Sequence, residues 1–233
     1  MISARGEDAK GRTKTGEFQT EVTVKVGYRY SLYVPEGYDE AGSKKWPLIV
    51  FLHGSGERGE DLEVLARHGP PKMIANGHKF PAFVASPQAP NHSTWEPHSI
   101  KALVDAVIRE HHIDENRIYI TGISMGGYGV WDAVNTYPHL FAAAVPICGS
   151  AGVKFVAAER IKHVPVWIFH GADDTVVPAA NSQRIYDALV EAGGTPKLTI
   201  YAGTGHDSWT QTYEDPDLWE WLFAQKRGGS GKE

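Results

Sequence analysis

The sequence predicts an α/β fold in which helices cover both faces of a mostly parallel sheet. Short apolar runs of strand length alternate along the chain with segments whose apolar residues recur at helical spacing. Strand–helix–strand alternation of this kind is typical of parallel sheets sandwiched between helices. Ahead of it, residues 18–34, FQTEVTVKVGYRYSLYV, alternate apolar and polar residues around Gly27 and predict an antiparallel N-terminal hairpin at one edge of the sheet.

The remaining strands and helices follow in order. Continuous apolar runs at residues 47–54 and 82–86 predict strands that are covered on both faces. Further strands are predicted at residues 117–122, 141–149, 164–171 and 197–201. Helical spacing, together with stop signals such as Pro138 and the Gly193–Gly194 pair, predicts helices at residues 100–111, 128–138, 178–192 and 217–225. Ligands of such sheets bind beyond the carboxyl ends of the strands, so each loop that follows a strand is a place to look for a site.

Bulk composition limits the classes of function. We interpret residues 17–226 as one domain between a flexible N-terminal segment, 1–16, and a flexible glycine-rich tail, 227–233. A net charge of −5 with mixed signs gives no reason to expect nucleic acid or an anionic membrane as partner. No apolar run approaches the roughly 18 residues that a membrane-spanning helix needs.

The single cysteine, Cys148, excludes an internal disulfide and a cysteine-based zinc site. It fits a reducing compartment, so the cytoplasm is favoured, and secretion after removal of a signal is the alternative. The oligomeric state is open at this point.

The stretch Arg117 to Val130, RIYITGISMGGYGV, places a serine between glycines where a strand gives way to a helix. Gly122-Ile123-Ser124-Met125-Gly126 matches G-x-S-x-G, and the strand–turn–helix context is the one that a nucleophile elbow requires. The sharp turn strains the serine backbone and leaves no room for side chains at the flanking positions. The alternative is a glycine-rich connection in which the serine caps a helix. We interpret Ser124 as a catalytic nucleophile.

A nucleophilic serine needs a base and an acid, which this architecture supplies in the order Ser, Asp or Glu, His. His206, in YAGTGHDSW, follows the last strand on a glycine-rich loop, whereas His53 and His170 lie on the wrong chain segments. The acid is expected in the loop HGADDTVVP. Spacing alone leaves the choice between Asp173 and Asp174 open.

A developing oxyanion also needs hydrogen-bond donors. One is the N–H after the nucleophile, that of Met125, and the other is expected from the loop HGSGERGED, where we favour the N–H of Ser55. The alternative for HGSG is a plain glycine turn. In the same loop we interpret Glu57 and Arg58 as an ion pair that shapes the backbone, with substrate contact as the alternative.

With HGSG, GISMGG, HGADDTVVP and GTGHDSW in this order, the chain resembles the α/β-hydrolase superfamily, and within it the phospholipase/carboxylesterase-type group. It is also similar to feruloyl-type and polyhydroxyalkanoate-depolymerase-type esterases and to the hydrolase domain of prolyl oligopeptidases. The resemblance runs from about Tyr28 to Leu222. Its HGxxDxxVP pattern implies Asp174 as the acid, and it supports Ser55 and His206 in their roles. Dienelactone hydrolases use cysteine as nucleophile, whereas this chain has serine.

The resemblance implies a cofactor-independent, metal-independent serine hydrolase that cleaves short-chain or aryl acyl esters through an acyl-enzyme. The alternatives are a peptidase or amidase acting on small peptides, and a non-catalytic binding protein with the same fold. Trp95 and Trp209 lie on loops near the expected site and are candidate contacts for a small-molecule ester, with simple loop packing as the alternative. The stretch between Cys148 and Pro165 is short, which predicts an open site without a large lid.

Overall fold

A seven-stranded sheet forms the centre of the computed structural model, which describes residues 15–21, 23, 25, 27–151 and 158–228. The strands are β1 (Arg29–Tyr33), β2 (Trp46–Leu52), β3 (Phe83–Gln88), β4 (Ile113–Ile123), β5 (Ala143–Ile147), β6 (Trp167–Gly171) and β7 (Lys197–Tyr201). Their order across the sheet is β1-β3-β2-β4-β5-β6-β7. The pair β1–β3 is antiparallel and the other neighbouring pairs are parallel. The predicted fold class is confirmed.

The predicted antiparallel edge is present, whereas the first arm of the predicted hairpin falls partly outside the described residues. β1 pairs with β3, with Arg29 opposite Gln88 and Tyr33 opposite Val84. Upstream, the described residues between 15 and 28 form no strand, and residues 22, 24 and 26 lie outside the described part of the chain. The described residues from 15 to 27 are exposed, and Phe18 is 89% exposed. The apolar residues of the alternating pattern at positions 22, 24 and 26 lie outside the described residues.

Seven α-helices lie in the described ranges: α1 (Gly69–Ala75), α2 (Pro97–Glu110), α3 (Met125–Thr136), α4 (Ala158–Ile161), α5 (Ala180–Glu191), α6 (Trp209–Glu214) and α7 (Pro216–Ala224). The four predicted helices correspond to α2, α3, α5 and α7 with ends shifted by a few residues. Short helices were missed, namely α1, α6 and two 3-10 helices at Ser55–Glu57 and Leu62–Arg67. None of them is long enough to display a helical period.

Two apolar cores lie on opposite faces of the sheet. Alternate residues of β2 serve them: Leu48, Val50 and Leu52 belong to one core, and Ile49 and Phe51 belong to the other. Residues of α2, α3 and α5 complete the first core, and residues of α1, α6 and α7 complete the second. Burial on both faces is what the continuous apolar runs predicted.

The order of the strands places a crevice at one edge of the sheet. From β2 the chain moves to β3 on one side, and it then crosses to β4 on the other side of β2. The direction in which strands are added to the sheet is therefore reversed, and β2 and β4 flank the reversal. Open α/β sheets bind ligands at the carboxyl ends of strands flanking such a reversal. Ser55 follows β2 at that edge, and Ser124 follows β4.

The joint between β5 and β6 is sparse. Within their described residues the two strands share one register pair, Ile147–Phe169, together with an isolated bridge between Ala144 and Val166. By comparison, β6 and β7 share five register pairs. The pairing between strands is therefore weakest between the five strands β1 to β5, which carry Ser124, and the two strands β6 and β7.

Several predictions concern segments that the structure describes only in part. Of the segments 1–16 and 227–233, only residues 15, 16, 227 and 228 are described, and the N–H of Arg227 donates to the carbonyl of Asn116 at 2.9 Å. Between Cys148 and Pro165 the short helix α4 is present, but residues 152–157 lie outside the described ranges, so an open site remains a prediction. Among the described helices, none has the length and apolarity to cross a bilayer.

Candidate active site

Ser124 occupies a strained turn between β4 and α3. Its φ of 51° and ψ of −114° are unusual for a residue other than glycine. The turn is held by hydrogen bonds from the Ser124 N–H to the Ile147 carbonyl at 2.9 Å and from the Tyr128 N–H to the Ser124 carbonyl at 3.1 Å. The Ser124 side chain makes no cap hydrogen bond with α3, so the helix-capping alternative is wrong. Its hydroxyl points elsewhere.

The glycines around Ser124 are required by close backbone contacts. A Cβ on Gly122 would lie 2.6 Å from the carbonyl oxygen of Gly126, and a Cβ on Gly126 would lie 1.9 Å from the carbonyl oxygen of Leu52. Both distances are far below van der Waals contact. Any side chain at these positions would push the turn away from β2, which agrees with the steric reasoning from the sequence.

Three loops bring a serine, a histidine and an aspartate together. His206 Nε2 lies 2.9 Å from Ser124 Oγ, and His206 Nδ1 lies 2.7 Å from Asp174 Oδ2. A carboxylate only accepts hydrogen bonds, so Nδ1 carries the proton and Nε2 presents its lone pair to the serine hydroxyl. This arrangement can remove the proton from Ser124 as its oxygen attacks an electrophile.

Asp174 is buried and fully hydrogen bonded, whereas Asp173 is exposed. Its Oδ1 accepts hydrogen bonds from the N–H groups of Val176 and Val177 at 2.8 and 2.9 Å. Burial acts to raise the pKa of Asp174, but the hydrogen bonds from His206 and from these two N–H groups outweigh it and hold the pKa below its usual value. Asp174 is therefore a carboxylate at neutral pH.

His170 is a partner of Asp174 that the sequence analysis did not identify. Its Nε2 lies 3.1 Å from Asp174 Oδ2 and 2.8 Å from the Val177 carbonyl, and its Nδ1 lies 2.7 Å from Ser182 Oγ. A carbonyl only accepts, so Nε2 carries the proton and Nδ1 accepts from the Ser182 hydroxyl. The side chain is completely buried and is hydrogen bonded to the same carboxylate oxygen as His206. The sequence signal that could have identified this contact is the spacing, because His170 lies four residues before Asp174.

The two backbone groups expected to bind an oxyanion are open. Ser55 begins the 3-10 helix after β2, and Met125 begins α3. Among the described residues, neither N–H donates to a protein acceptor. First-turn N–H groups of a helix have no partner within the helix, so they are available to a ligand.

His53 supports the loop that carries Ser55. Its Nε2 accepts a hydrogen bond from the Ala89 N–H at 3.0 Å, which places the proton on Nδ1, 2.6 Å from the Gly54 carbonyl. That carbonyl shares a peptide plane with the Ser55 N–H, so its orientation is fixed. Burial of the ring lowers the pKa of His53 to about 4, against a smaller raising effect of the Gly54 hydrogen bond.

The low pKa of His53 predicts acid sensitivity. Between its ordinary value of 6.5 and about 4, the unfolded chain binds a proton at this site and the folded chain does not. Its contribution to stability is therefore complete above pH 6.5 and falls as the pH drops towards 4, by up to about 3 kcal/mol. We expect His53→Gln to flatten the fall of unfolding free energy between pH 7 and 4.5, measured by denaturant titration. An equally steep fall in the variant would contradict the assignment.

The predicted ion pair between Glu57 and Arg58 is wrong. Among the described residues Glu57 pairs with His68, whose Nε2 lies 3.7 Å from its Oε1, and Arg58 Nη2 donates to Met125 Sδ at 2.9 Å. Glu57 is the last residue of the short 3-10 helix and Arg58 follows it, and the two neighbouring side chains have different partners.

Of the two tryptophans proposed as substrate contacts, Trp95 is placed in the core. It is 4% exposed, its Nε1–H donates to the His53 carbonyl at 3.1 Å, and its ring packs edge-on against His53 and close to Gly129. Direct contact with a substrate is therefore wrong for Trp95, and packing is its role. Burial depends on α3, which lies distant in the sequence.

Trp209 lies beside the base. Its ring meets that of His206 edge-on at 5.4 Å, and its Nε1–H donates to His68 Nδ1 at 3.2 Å. Trp209 and His68 also line a small cleft of about 70 Å³ between α1 and α6, which includes Lys72, Asn76 and Glu214. A half-buried aromatic ring between His206 and a cleft is well placed to contact a bound group.

Three side chains near the site could in principle supply ligands to a metal ion. Cys148, Asp174 and His206 offer ligand atoms within 4.8 Å of one another. However, burial raises the pKa of the Cys148 thiol to about 12, and metals bind the thiolate. Asp174 and His206 are already hydrogen bonded to each other. The donor set fits proton transfer better than it fits a metal ion.

A family model described as phospholipase/carboxylesterase matches residues 91–216, which is more than half of the sequence. The chain belongs to the phospholipase/carboxylesterase family. The match contains Ser124, Asp174 and His206, whereas Ser55 lies ahead of it. The resemblance to this family that was inferred from the four motifs is confirmed.

Relatives of this family member agree with the assignment. Poly(3-hydroxyalkanoate) depolymerase C of Paucimonas lemoignei is 33% identical over 174 residues, which make up 68% of this chain and 40% of the depolymerase. The probable carboxylesterase SOBER1-like of Arabidopsis thaliana is 26% identical over 203 residues, covering 73% of this chain and 76% of the plant protein. The crystal structure of a thermostable esterase matches with a TM-score of 0.73 and 39% identity, covering 85% of this chain and 59% of the esterase. The chain thus spans less than two thirds of the depolymerase and of the thermostable esterase.

Proposed function

We propose that this protein is a serine esterase that cleaves carboxylic esters with short-chain or aryl acyl groups through an acyl-enzyme. One observation carries the proposal: a single imidazole, that of His206, is hydrogen bonded to the hydroxyl of Ser124 on one side and to the carboxylate of Asp174 on the other. A serine hydroxyl is a weak nucleophile until a base accepts its proton. This geometry supports activation of Ser124.

In the first half of the reaction, Ser124 Oγ attacks the acyl carbon while His206 Nε2 takes the hydroxyl proton. The carbonyl oxygen becomes negative and receives hydrogen bonds from the N–H groups of Ser55 and Met125. Asp174 keeps Nδ1 protonated and stabilises the imidazolium. His206 then gives the proton to the departing alcohol oxygen as the ester bond breaks.

In the second half, water replaces the alcohol beside His206. The imidazole removes one proton from the water, whose oxygen attacks the acyl carbon of the acyl-enzyme. The oxyanion is again held by the two N–H groups, and the bond to Ser124 Oγ breaks as His206 returns the proton to the serine. The carboxylic acid leaves, and the starting hydrogen bonds are restored.

The names of related proteins support esters over amides. They include the depolymerase of Paucimonas lemoignei, a bifunctional acetylxylan esterase/xylanase of Neocallimastix patriciarum, and carboxylesterase SOBER1 of Arabidopsis thaliana. Each name describes hydrolysis of an ester bond, although the alcohol and acyl parts differ. Alcohols are also easier to expel than amines, so an ester is the less demanding substrate.

Covalent labelling tests the proposal. A fluorophosphonate reacts only with an activated serine, so we expect one equivalent of label, on the peptide that contains Ser124. Turnover of 4-nitrophenyl acetate should exceed that of a peptide 4-nitroanilide. Faster cleavage of the anilide would favour a peptidase, and absence of both label and turnover would indicate a non-catalytic protein with this fold.

A further inference from the structure

Arg58 lies beside the candidate nucleophile and has no charged partner among the described residues. It directly follows the 3-10 helix that begins at Ser55, and its Nη2 donates to Met125 Sδ at 2.9 Å. Met125 is bonded to Ser124 in the chain. The guanidinium therefore sits at the edge of the site, one methionine side chain away from the residue that carries the nucleophile.

The hydrogen bonding of Arg58 is incomplete. Its Nε is buried and has no acceptor, and within the described part of the chain no carboxylate lies within 4.0 Å of the guanidinium. A thioether is a weak acceptor, and arginine stays charged at any pH at which proteins fold. A partly buried charge is costly unless an opposite charge or strong acceptors complete its shell. An anionic group from outside the chain would meet this need.

The neighbouring acid does not neutralise Arg58. Glu57 is buried, and its Oε1 is directed towards His68, which in turn accepts from Trp209. The charge of Arg58 also reaches inward, because it helps to lower the pKa of His53, after the larger effect of burial. The positive field of the guanidinium is therefore felt on the loop that carries the Ser55 N–H.

We infer that Arg58 binds a carboxylate of the substrate, an assignment that rests on the proposed esterase function. The guanidinium fork matches a carboxylate with two parallel hydrogen bonds. Because Met125 joins Arg58 to the nucleophile, the bound carboxylate lies a few bonds from the ester carbonyl. The preferred substrates are esters whose acyl or alcohol part ends in a free carboxylate, such as monoesters of short dicarboxylic acids or acylated hydroxy acids.

Two matched pairs of substrates test this inference and identify the side that carries the carboxylate. On the acyl side, monoethyl glutarate is compared with the ester in which a carboxamide replaces its free carboxylate. On the alcohol side, 3-acetoxybutanoate is compared with its carboxamide. Within each pair the ester bond and the size are the same, and only the charge differs. Product release is followed by chromatography, with the Ser124→Ala variant as the blank.

We expect the wild-type protein to prefer the carboxylate in one pair by about 10- to 100-fold in kcat/KM, as is typical of a charge-assisted hydrogen-bonded pair. The preference should weaken as salt is added. In Arg58→Gln the ratio of the two substrates should fall to near one, whatever change in rate both share. Arg58→Lys keeps the charge but loses the fork, and should keep part of the preference. Arg67→Gln removes a charge from an exposed residue nearby and should retain the wild-type ratio.

Two results would overturn the inference. One is a wild-type protein that cleaves both members of each pair equally well, and the other is an Arg58→Gln variant that keeps the preference. Either result leaves the esterase proposal standing, because ester hydrolysis is still seen. If none of the four esters is cleaved and Ser124 is not labelled by the fluorophosphonate, the proposed function fails and the inference fails with it.

Discussion

Replacing Ser124 with alanine is expected to lower kcat for ester hydrolysis by about 10⁴- to 10⁶-fold. The substitution removes the oxygen that forms the acyl-enzyme, and among the described residues Ser124 supplies the hydroxyl that is hydrogen bonded to His206 Nε2. The fold should survive, because the Ser124 side chain makes no cap hydrogen bond and the turn is held by backbone groups. Initial rates with 4-nitrophenyl acetate and thermal unfolding measure the two effects.

The exposed Ser43 provides the matched control. Ser43→Ala makes the same chemical change away from the site and should leave both rate and unfolding temperature unaltered. If Ser124→Ala kept more than about one per cent of the wild-type kcat, a loss far smaller than removal of a catalytic serine causes, another nucleophile would have to be sought.

Asp174→Asn is expected to lower kcat by about 10⁴-fold with little change in KM. Both carboxylate oxygens accept hydrogen bonds: Oδ1 from two backbone N–H groups, and Oδ2 from His206 and His170. An amide must turn its NH₂ group towards one of these sets of donors. If it faces His206, the imidazole takes the other tautomer, and Nε2 can no longer accept the proton of Ser124.

Asp173→Asn is the control for this change, because Asp173 is exposed and adjacent. It should reduce kcat no more than a few-fold, as is usual for exposed positions without a special contact. The dependence of kcat on pH provides a second comparison. Asp174→Asn should change the part of the profile that depends on protonation of the base, His206, whereas Asp173→Asn should leave it as in the wild type. Equal losses in the two variants would argue that the loop, and not the carboxylate of Asp174, matters.

Local chemistry explains which features the sequence predicted well. The turn at Ser124 is encoded by glycines whose Cβ atoms would collide with the neighbouring backbone, so its signature is contained in a few residues. His206 and Asp174 could be found because loops after parallel strands meet at one edge of the sheet. The choice of Asp174 over Asp173 came from the family resemblance, because the spacing of residues does not indicate the direction in which a side chain points.

Features that depend on distant contacts were out of reach. Trp95 reads as a loop residue in the sequence, yet it is buried against α3 and the His53 backbone. The proton positions of His53 and His170 follow from partners such as the Ala89 N–H and the Val177 carbonyl. Alternation in residues 18–34 predicted an antiparallel edge strand, but it could not tell that β3 would be the neighbour of β1.

The sparse joint between β5 and β6 has a consequence for how heat would disable the molecule. Asp174 follows β6 and His206 follows β7, and their two loops are joined by a hydrogen bond from the Asp173 N–H to the Thr204 carbonyl at 2.9 Å. Ser124 directly follows β4, which lies on the other side of the β5–β6 pair. Warming should therefore separate hydroxyl from imidazole while imidazole and carboxylate stay together. The protein would then lose its esterase activity at a temperature at which its circular dichroism spectrum is still native. On cooling, the activity would return without refolding.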